Sequence, residues 1–568
     1  MEVRRRLLLH APLVRGAAST FALLLVFIPM AAGAWLAFPY WDDGWLWLLL
    51  RESGVQAIAP SYADRPVNAA LWRFVAGSAG GIWTASFVAH FLLWPLLGIA
   101  SALLFRKMYP SQGHLAPLVA CVAIAPVFHK VGLATANIAL VALPAVLLVY
   151  AALLLLLRFI ATQDAVAYRW FGGALPLVGA ASLLNEYGVA AALACVSLLA
   201  VVAAGSSGDE RRRAASATAA LLCVAGIGYA TYLAISDYAT TRPDVHPARA
   251  VEMAEAEFFY LPFRFLGALW SVSIGAFGAA VANLSFLGRA GAGATLYGGI
   301  AAALVVIACS PFPAYPTETA EIGPMRVRAI ASLAALLAAI AAVVLMGRDP
   351  WQEPTHSRFV IPVLPILAGL TAVLASGLLR GRQLSIAVAL IGFVCASSAF
   401  SEGWSALREH KMMEIIGERL EAEVAAEDGI TVAVLSLPPR QSGDRYEWEL
   451  TARIGADWPD TVRRRFWAFD ARREIYYEDD IGTRGRCRDT REVSFDVRLV
   501  ERKGRIASLL WVRPDAYTAL SKLLAGEMDV LVEPYCVGTS LADHHEPGGM
   551  PSSAHNPEHD DDARLASP

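Results

Sequence analysis

The chain is 568 residues long, 56% hydrophobic and only 17% charged, with a mean hydropathy of +0.48. Residues 1–401 hold 25 basic and 18 acidic side chains, and residues 402–568 hold 22 basic and 32 acidic. The small net charge of −3 is therefore +7 on an apolar part against −10 on a polar part. Soluble proteins average about 25% charged residues. The pattern excludes a single soluble globule, a mainly disordered chain, a collagen-like repeat and, with no strongly basic face, a nucleic-acid binder.

The N-terminus, MEVRRR, precedes an apolar run too long for a signal-peptide core, and no small-x-small cleavage site follows it. It reads as a retained first span over about 14–38 with its N-terminus in the cytoplasm. Further apolar runs lie near 84–105, 115–128, 132–157, 173–185, 187–204, 214–235, 261–285, 293–310, 327–346, 359–379 and 384–400. A full crossing takes about 20 residues, so 115–128 and the two arms of 173–204 are short. Asn185-Glu186-Tyr187-Gly188 breaks the last of these into a hairpin with its tip outside.

Basic clusters mark the cytoplasmic ends: Arg106-Lys107, Arg158 with Arg169, Arg211 to Arg213, Arg326 with Arg328, and Arg380 with Arg382. Counting spans from both directions leaves one parity problem. Residues 261–311 must cross an odd number of times, yet carry two apolar runs; one of them is re-entrant, or an earlier hairpin is misread. The whole is expected to be a polytopic α-helical membrane protein with about 11–13 transmembrane or re-entrant helices and a C-terminal soluble α+β domain.

That polar domain is expected over 402–540, outside the cytoplasm, with a disordered tail over 541–568. SALREHKMMEIIGERLEAEVAAE has helical spacing, ITVAVLSL and VLVEPY read as strands, and VSFDVRLVE with RIASLLWV flank a Lys503-Gly504 turn. Asp515 is placed to cap a helix through about Leu524. Cys487 and Cys536 are either disulfide-bonded, as an oxidising compartment allows, or two free thiols. The tail histidines with Asp560 to Asp562 read as a solvated acidic segment before they read as a metal site. The glycine-rich 288–299 lacks dinucleotide-binding spacing and reads as close helix packing or a loop. No P-loop, HExxH or CxxC pair occurs.

FPYWDDGWLWLLLRESG, residues 38–54, begins where the first span leaves the membrane. Asp42 and Asp43 stand among interfacial Tyr40, Trp41, Trp45 and Trp47. Two adjacent carboxylates near lipid raise at least one pKa, which suits a general base. Arg65-Pro66 closes the loop. Glu186 at the hairpin tip, Asp237, Arg242, Asp244 and His246 after the 214–235 run, and Arg358 before a late span all reach the same face. Arginine is suited to phosphate, and lipid phosphates sit at this depth. Each residue also has a plainer role: Asp42-Asp43 as loop solvation, Glu186 as a hairpin cap, and Arg65 and Arg358 as headgroup contacts. Their combination carries the chemical reading.

The sequence resembles the GT-C superfamily of polytopic glycosyltransferases, which take sugars from polyprenyl-phosphate donors. The resemblance lies in WDD after span one, RP later in that loop, LLNEYG in a short hairpin and SRFVIPVLP before a late span. It covers roughly the first 400 residues. It implies a first-loop catalytic base at Asp42 or Asp43, with Asp43 favoured, a hairpin acid at Glu186 and a late arginine at Arg358. Phe359 stands where that family often has tyrosine. The implied activity is inverting sugar transfer at the outer face of a bacterial inner membrane, from a lipid-linked sugar donor to a glycan or protein acceptor of the envelope. Arg65 and Arg358 would stabilise the polyprenyl-phosphate leaving group. A divalent cation is compatible with the site, although no residue pattern requires one. Membrane lipids are expected partners and nucleic acid is not. The alternative readings are a transporter or flippase of an amphiphilic substrate, or an assembly protein that binds an envelope partner through 402–568.

Overall fold

The computed structural model describes residues 2–36, 66–77, 82–127, 136–162, 166–240, 261–270, 287–310, 325–345, 360–401 and 403 of the apolar part, and 432–436, 474–477, 492–501 and 528–535 of the polar part. Helices follow the apolar runs closely. They are α1 (Glu2–Leu36), α2 (Pro66–Ala76), α3 (Ile82–Phe87), α4 (Trp94–Met108), α5 (Ala116–Ile124), α6 (Ala136–Ala161), α7 (Ala167–Leu184), α8 (Glu186–Gly205), α9 (Gly208–Thr240), α10 (Leu261–Trp270), α11 (Leu287–Cys309), α12 (Met325–Leu345) and α13 (Leu364–Leu378). The last, α14, is the span Arg382–Ser401. A π-helical turn, Val88–Leu93, joins α3 to α4.

Among the described residues, eight helices are long and apolar enough to cross a membrane. Their outward faces carry large apolar side chains: Phe21 on α1 is 58% exposed, Ile227 on α9 68% and Leu390 on α14 59%. In water such surface would be costly; against lipid tails it is the ordinary finish of a span. The core lies along α5, α6, α8 and α13. Ala190, Ala191, Ala192 and Ala194 of α8 are all fully buried, and their small side chains let neighbouring backbones approach.

The bundle has two distinct ends. At one, Arg158 lies 4.1 Å from the ring centre of Trp170, and Arg213 donates to the Phe159 carbonyl at 3.5 Å. There too Arg328, 1% exposed, donates to the Met108 carbonyl at 2.7 Å, and Tyr109 donates to the Arg328 carbonyl at 3.1 Å. A guanidinium on the last carbonyls of α4 fills an acceptor that a helix C-terminus leaves open and suits the negative end of its dipole. The clusters at 106–107, 158–169, 211–213 and 326–328 thus converge on one basic end. At the far end, Asn185 meets Val141, and Gly33 of α1 meets Gly403 backbone to backbone.

Contacts between helices also resolve the parity of 261–311. Gly298 of α11 lies against Phe393 and Ser397 of α14, Gly392 packs on Val305, and Tyr297 lies 5.1 Å from Phe400. These pairs run in opposite directions, so α11 starts at the far end, where α14 finishes. The contact of Tyr232 with Glu186 puts the last turns of α9 at that end as well. The residues flanking 241–286 therefore lie on one side, and among the described residues α11 supplies one crossing. Ten-residue α10 spans about 15 Å and packs on α12. Residues 288–299, read as close packing or a loop, are the first turns of α11.

The polar part contributes four strands, β1 (Val432–Ser436), β2 (Glu474–Tyr477), β3 (Glu492–Glu501) and β4 (Met528–Tyr535), in the order β2-β1-β3-β4. β1 runs parallel to both neighbours, which demands crossover connections. β3 pairs antiparallel with β4, with Val497 opposite Val532, and the segment after the Lys503-Gly504 turn lies outside the described residues. The helices read near 405–426 and 515–524, the tail, Cys487 and Cys536 lie outside the described residues. Beyond Gly403 the described residues are strands alone. The α+β assignment is accordingly not supported, and the 402–540 boundary remains an expectation.

Candidate functional site

The hairpin between α7 and α8 is built by the LLNEYG sequence. Asn185 is extended, with φ −175° and ψ 177°, which ends α7. Its Oδ1 accepts from the backbone N–H groups of Tyr187 at 3.0 Å and Gly188 at 3.2 Å. These are orphan donors at the start of α8, and asparagine is among the best residues for taking them. Its Nδ2 donates to the Val141 carbonyl near the start of α6. A fully buried amide is thereby held at both ends and fixes the hairpin against a third helix. Gly188 completes the turn, because a Cβ there would overlap the Ala181 carbonyl and crowd Ala145.

Glu186 is the first residue of α8, where the positive end of the helix dipole favours a carboxylate. It is half-buried, and its Oε2 accepts from the Tyr232 hydroxyl at 3.3 Å. Tyr229, one turn earlier on α9, stacks on Tyr232 with ring centres 6.3 Å apart. One turn before Asn185, Ser182 is fully buried, and Gly228 of α9 leaves room for it: a Cβ at 228 would stand 2.6 Å from that of Ser182. Among the described residues the far end thus presents one oriented carboxylate in an aromatic setting, able to hold a hydroxyl-bearing ligand or orient a neighbouring base.

Of the residues singled out from sequence, Glu186 is described, and Asp237, expected in the loop after 236, falls instead within α9. Asp42, Asp43, Arg65 and Arg358, with Arg242, Asp244 and His246, lie outside the described residues. The described chain nearest to them is informative. Leu36 ends α1 at the far end. Pro66, next to Arg65, opens α2, which packs against α3 and α7. Val360 differs from expectation. The late span was read as starting at the outer face, yet Tyr150, near the middle of α6, donates to the Pro362 carbonyl at 2.7 Å. Gly369 likewise touches Phe105, close to the basic end of α4. Tyr150 lies nine residues beyond Val141 on α6, about 14 Å along a helix. The turn Val360–Val363 is buried and enters at mid-height, below the level of Glu186.

Sequence reading missed three contributors. Asn185 breaks the helical run in sequence, and asparagine directly before Glu-Tyr-Gly is also an N-cap signal. Tyr232 has no sequence signature, since it meets Glu186 through tertiary packing alone. The segment 66–76 was read as loop, although its buried Asn68, Ala69, Trp72 and Val75 have helical spacing. Among the described residues no group of three or more His, Cys, Asp or Glu could hold a metal ion.

No protein-family model matches the chain, and no curated protein sequence matches it. Two solved structures are similar. One is ArnT from Cupriavidus metallidurans bound to undecaprenyl phosphate, 14% identical, matched over 85% of this chain and 92% of that chain with a TM-score of 0.36. The other is ArnT from the same organism in the apo state, 14% identical, matched over 91% and 97% with a TM-score of 0.35.

Proposed function

We propose that this protein is a membrane glycosyltransferase that uses a polyprenyl-phosphate sugar as donor and works at the far end of the bundle, the outer face of the membrane. The observation that carries the reading is the hairpin. The Asn185 clamp holds Glu186 at the end of the bundle where α1 finishes, a few residues before Asp42-Asp43, and where α2 lies, directly after Arg65. The basic clusters gather at the opposite end, as a cytoplasmic face requires.

In this reading the acceptor hydroxyl oxygen attacks the anomeric carbon of the donor. The bond from that carbon to the phosphate oxygen breaks, and polyprenyl phosphate leaves with the electron pair. Asp43 takes the acceptor proton, and configuration inverts in one displacement. Arg65 and Arg358 stabilise the charge that grows on the leaving phosphate. Asp42 or Glu186 orients the base or holds the sugar. A divalent cation, if one takes part, would be held by the first-loop carboxylates. The transporter alternative would favour ionisable groups at mid-membrane; the carboxylate of Glu186 stands at the far end.

The test is sugar transfer from polyprenyl-phosphate sugars by wild type, Asp43→Asn and Asp42→Asn at equal expression. Asp43→Asn is expected to lose transfer by about a hundredfold or more, the usual worth of a general base. Full activity in both variants would overturn the base assignment, and absence of transfer by wild type with any envelope acceptor would overturn the function.

A further inference from the structure

The corner where α6 ends and α7 and α9 begin carries a cluster that the proposed chemistry does not use. Phe159, 2% exposed, is its hub. The Tyr168 ring lies 5.7 Å from the Phe159 ring, centre to centre. Arg213 reaches the same residue from α9, donating to the Phe159 carbonyl at 3.5 Å with its guanidinium carbon 5.8 Å from the ring centre. Arg158, next to Phe159 in the chain, lays its guanidinium on Trp170 at 4.1 Å, and Arg169 directly precedes Trp170. Arginines from three helices are thus tied to one aromatic centre.

Arg158 and Arg169 are exposed, and neither has a carboxylate partner among the described residues. On α9, Arg212 lies 3.8 Å from Asp209. Residues 158–169 and 209–213 together hold five arginines against Asp164, Asp209 and Glu210, so the corner is net positive with every acid ionised. Asp164 itself lies outside the described residues. A guanidinium flat on an indole keeps its edge N–H groups available to a phosphate, and the ring fixes its plane beforehand. Beside these charges stand outward-facing apolar side chains: Val166 is 50% exposed and Tyr168 66%. Charge and exposed aromatic surface at one helix start mark the boundary between hydrocarbon and headgroups.

We propose that this corner is a docking surface for an anionic phospholipid of the leaflet at the basic end, with the lipid phosphate on Arg158 and Arg169 and its glycerol and upper acyl chain along Tyr168 and Val166. Charge complementarity selects the headgroup, because a zwitterionic lipid brings its own cation to a surface already positive, whereas an anionic lipid brings none. The apolar neighbours select a lipid over a soluble anion. Arg213 adds positive potential from below. This surface lies at the opposite end of the bundle from Glu186 and does not depend on the sugar-transfer reading.

The experiment titrates the full chain with phosphatidylglycerol in nonionic detergent and counts bound lipid by native mass spectrometry. Wild type is compared with the double variant Arg158→Gln, Arg169→Gln and with Arg380→Gln, Arg382→Gln, which removes the same charge from another exposed cluster of that end. Phosphatidylcholine and soluble glycerol 1-phosphate are the control ligands. Wild type should prefer phosphatidylglycerol to phosphatidylcholine and bind no glycerol phosphate. The corner variant should raise the Kd of the first phosphatidylglycerol about 25-fold, since each basic side chain near a membrane surface contributes about 5-fold. The variant at 380 and 382 should raise it by less than about 5-fold. Equal losses in the two variants would make the effect one of overall charge and overturn the site. So would a corner variant that binds as wild type does, or glycerol phosphate that binds as tightly as the lipid. Unfolding temperature in phosphatidylcholine nanodiscs should be the same for all three proteins, because the four substituted side chains are exposed. Should the corner variant unfold early, the single substitutions Arg158→Gln and Arg169→Gln decide, each with an expected loss of about 5-fold.

Discussion

The side-chain amide of Asn185 donates to the backbone carbonyl of Val141, so that the residue separating α7 from α8 is bonded to the first turns of α6. The same side chain accepts two backbone N–H groups of α8. One residue therefore ends one helix, starts the next and anchors both to a third.

Asn185→Leu should cost about 2–4 kcal/mol of stability, since it orphans two buried N–H groups and one carbonyl together. Asn185→Asp keeps the cap but turns a donor into a charge facing the Val141 carbonyl, and should cost at least as much. Thermal unfolding in lipid nanodiscs measures both. A loss below about 0.5 kcal/mol for Asn185→Leu would mean that the clamp does not hold the hairpin.

Glycine tests the same packing from the other side. Gly188→Ala drives a methyl into the Ala181 carbonyl, whereas Gly226 on α9 has open space around its missing side chain. Gly188→Ala should destabilise by about 1–3 kcal/mol through overpacking. Gly226→Ala should be neutral or stabilising, because alanine is the better helix former by up to about 1 kcal/mol. Equal effects at the two positions would contradict the close approach of α7 and α8.

Much of the bundle was legible in the sequence because apolar length and basic clusters are one-dimensional signals. The runs near 132–157, 214–235 and 384–400 fall on α6, α9 and α14 within a few residues, and the short run at 115–128 is the nine-residue α5. What the sequence could not supply was depth and facing. The SRFVIPVLP motif announces a span but not that Val360 enters at mid-height, which depends on Tyr150 reaching Pro362. LLNEYG announces a hairpin acid but not its partner, because Tyr232 lies 46 residues away in the chain. The parity of 261–311 likewise required the antiparallel contacts of α11 with α14.

Arg328 supports a prediction at the basic end. It is fully buried and bonded to the Met108 carbonyl, and its guanidinium carbon lies 5.9 Å from the Tyr109 ring centre. The Tyr109 hydroxyl shares a 2.8 Å hydrogen bond with Ser332. Arg328→Met should cost about 2–4 kcal/mol, because it leaves a buried carbonyl unpaired and removes packing on the ring. Arg328→Lys should restore little of this, since an ammonium lacks the planar fork that bonds the carbonyl while lying over the ring. Ser332→Ala removes one hydrogen bond and should cost about 1 kcal/mol. The ordering of the three variants by unfolding temperature is the check.

His114, in the 3₁₀ turn between α4 and α5, gives the protein a pH dependence of known sign. Burial lowers its pKa, and the positive charge of Arg15 lowers it further. In the unfolded chain the imidazole titrates near its ordinary value of about 6.5. Between the lowered folded value and about 6.5 the unfolded state therefore binds more protons than the folded state, and stability rises with pH across that window. The contribution is fully present above about 6.5 and is lost as pH falls through the folded value. His114→Gln keeps a polar side chain that does not titrate, so its unfolding temperature should fall less than that of wild type between pH 7 and pH 5. Parallel curves for the two proteins would show that His114 carries no differential protonation, and a steeper loss in the variant would reverse the sign.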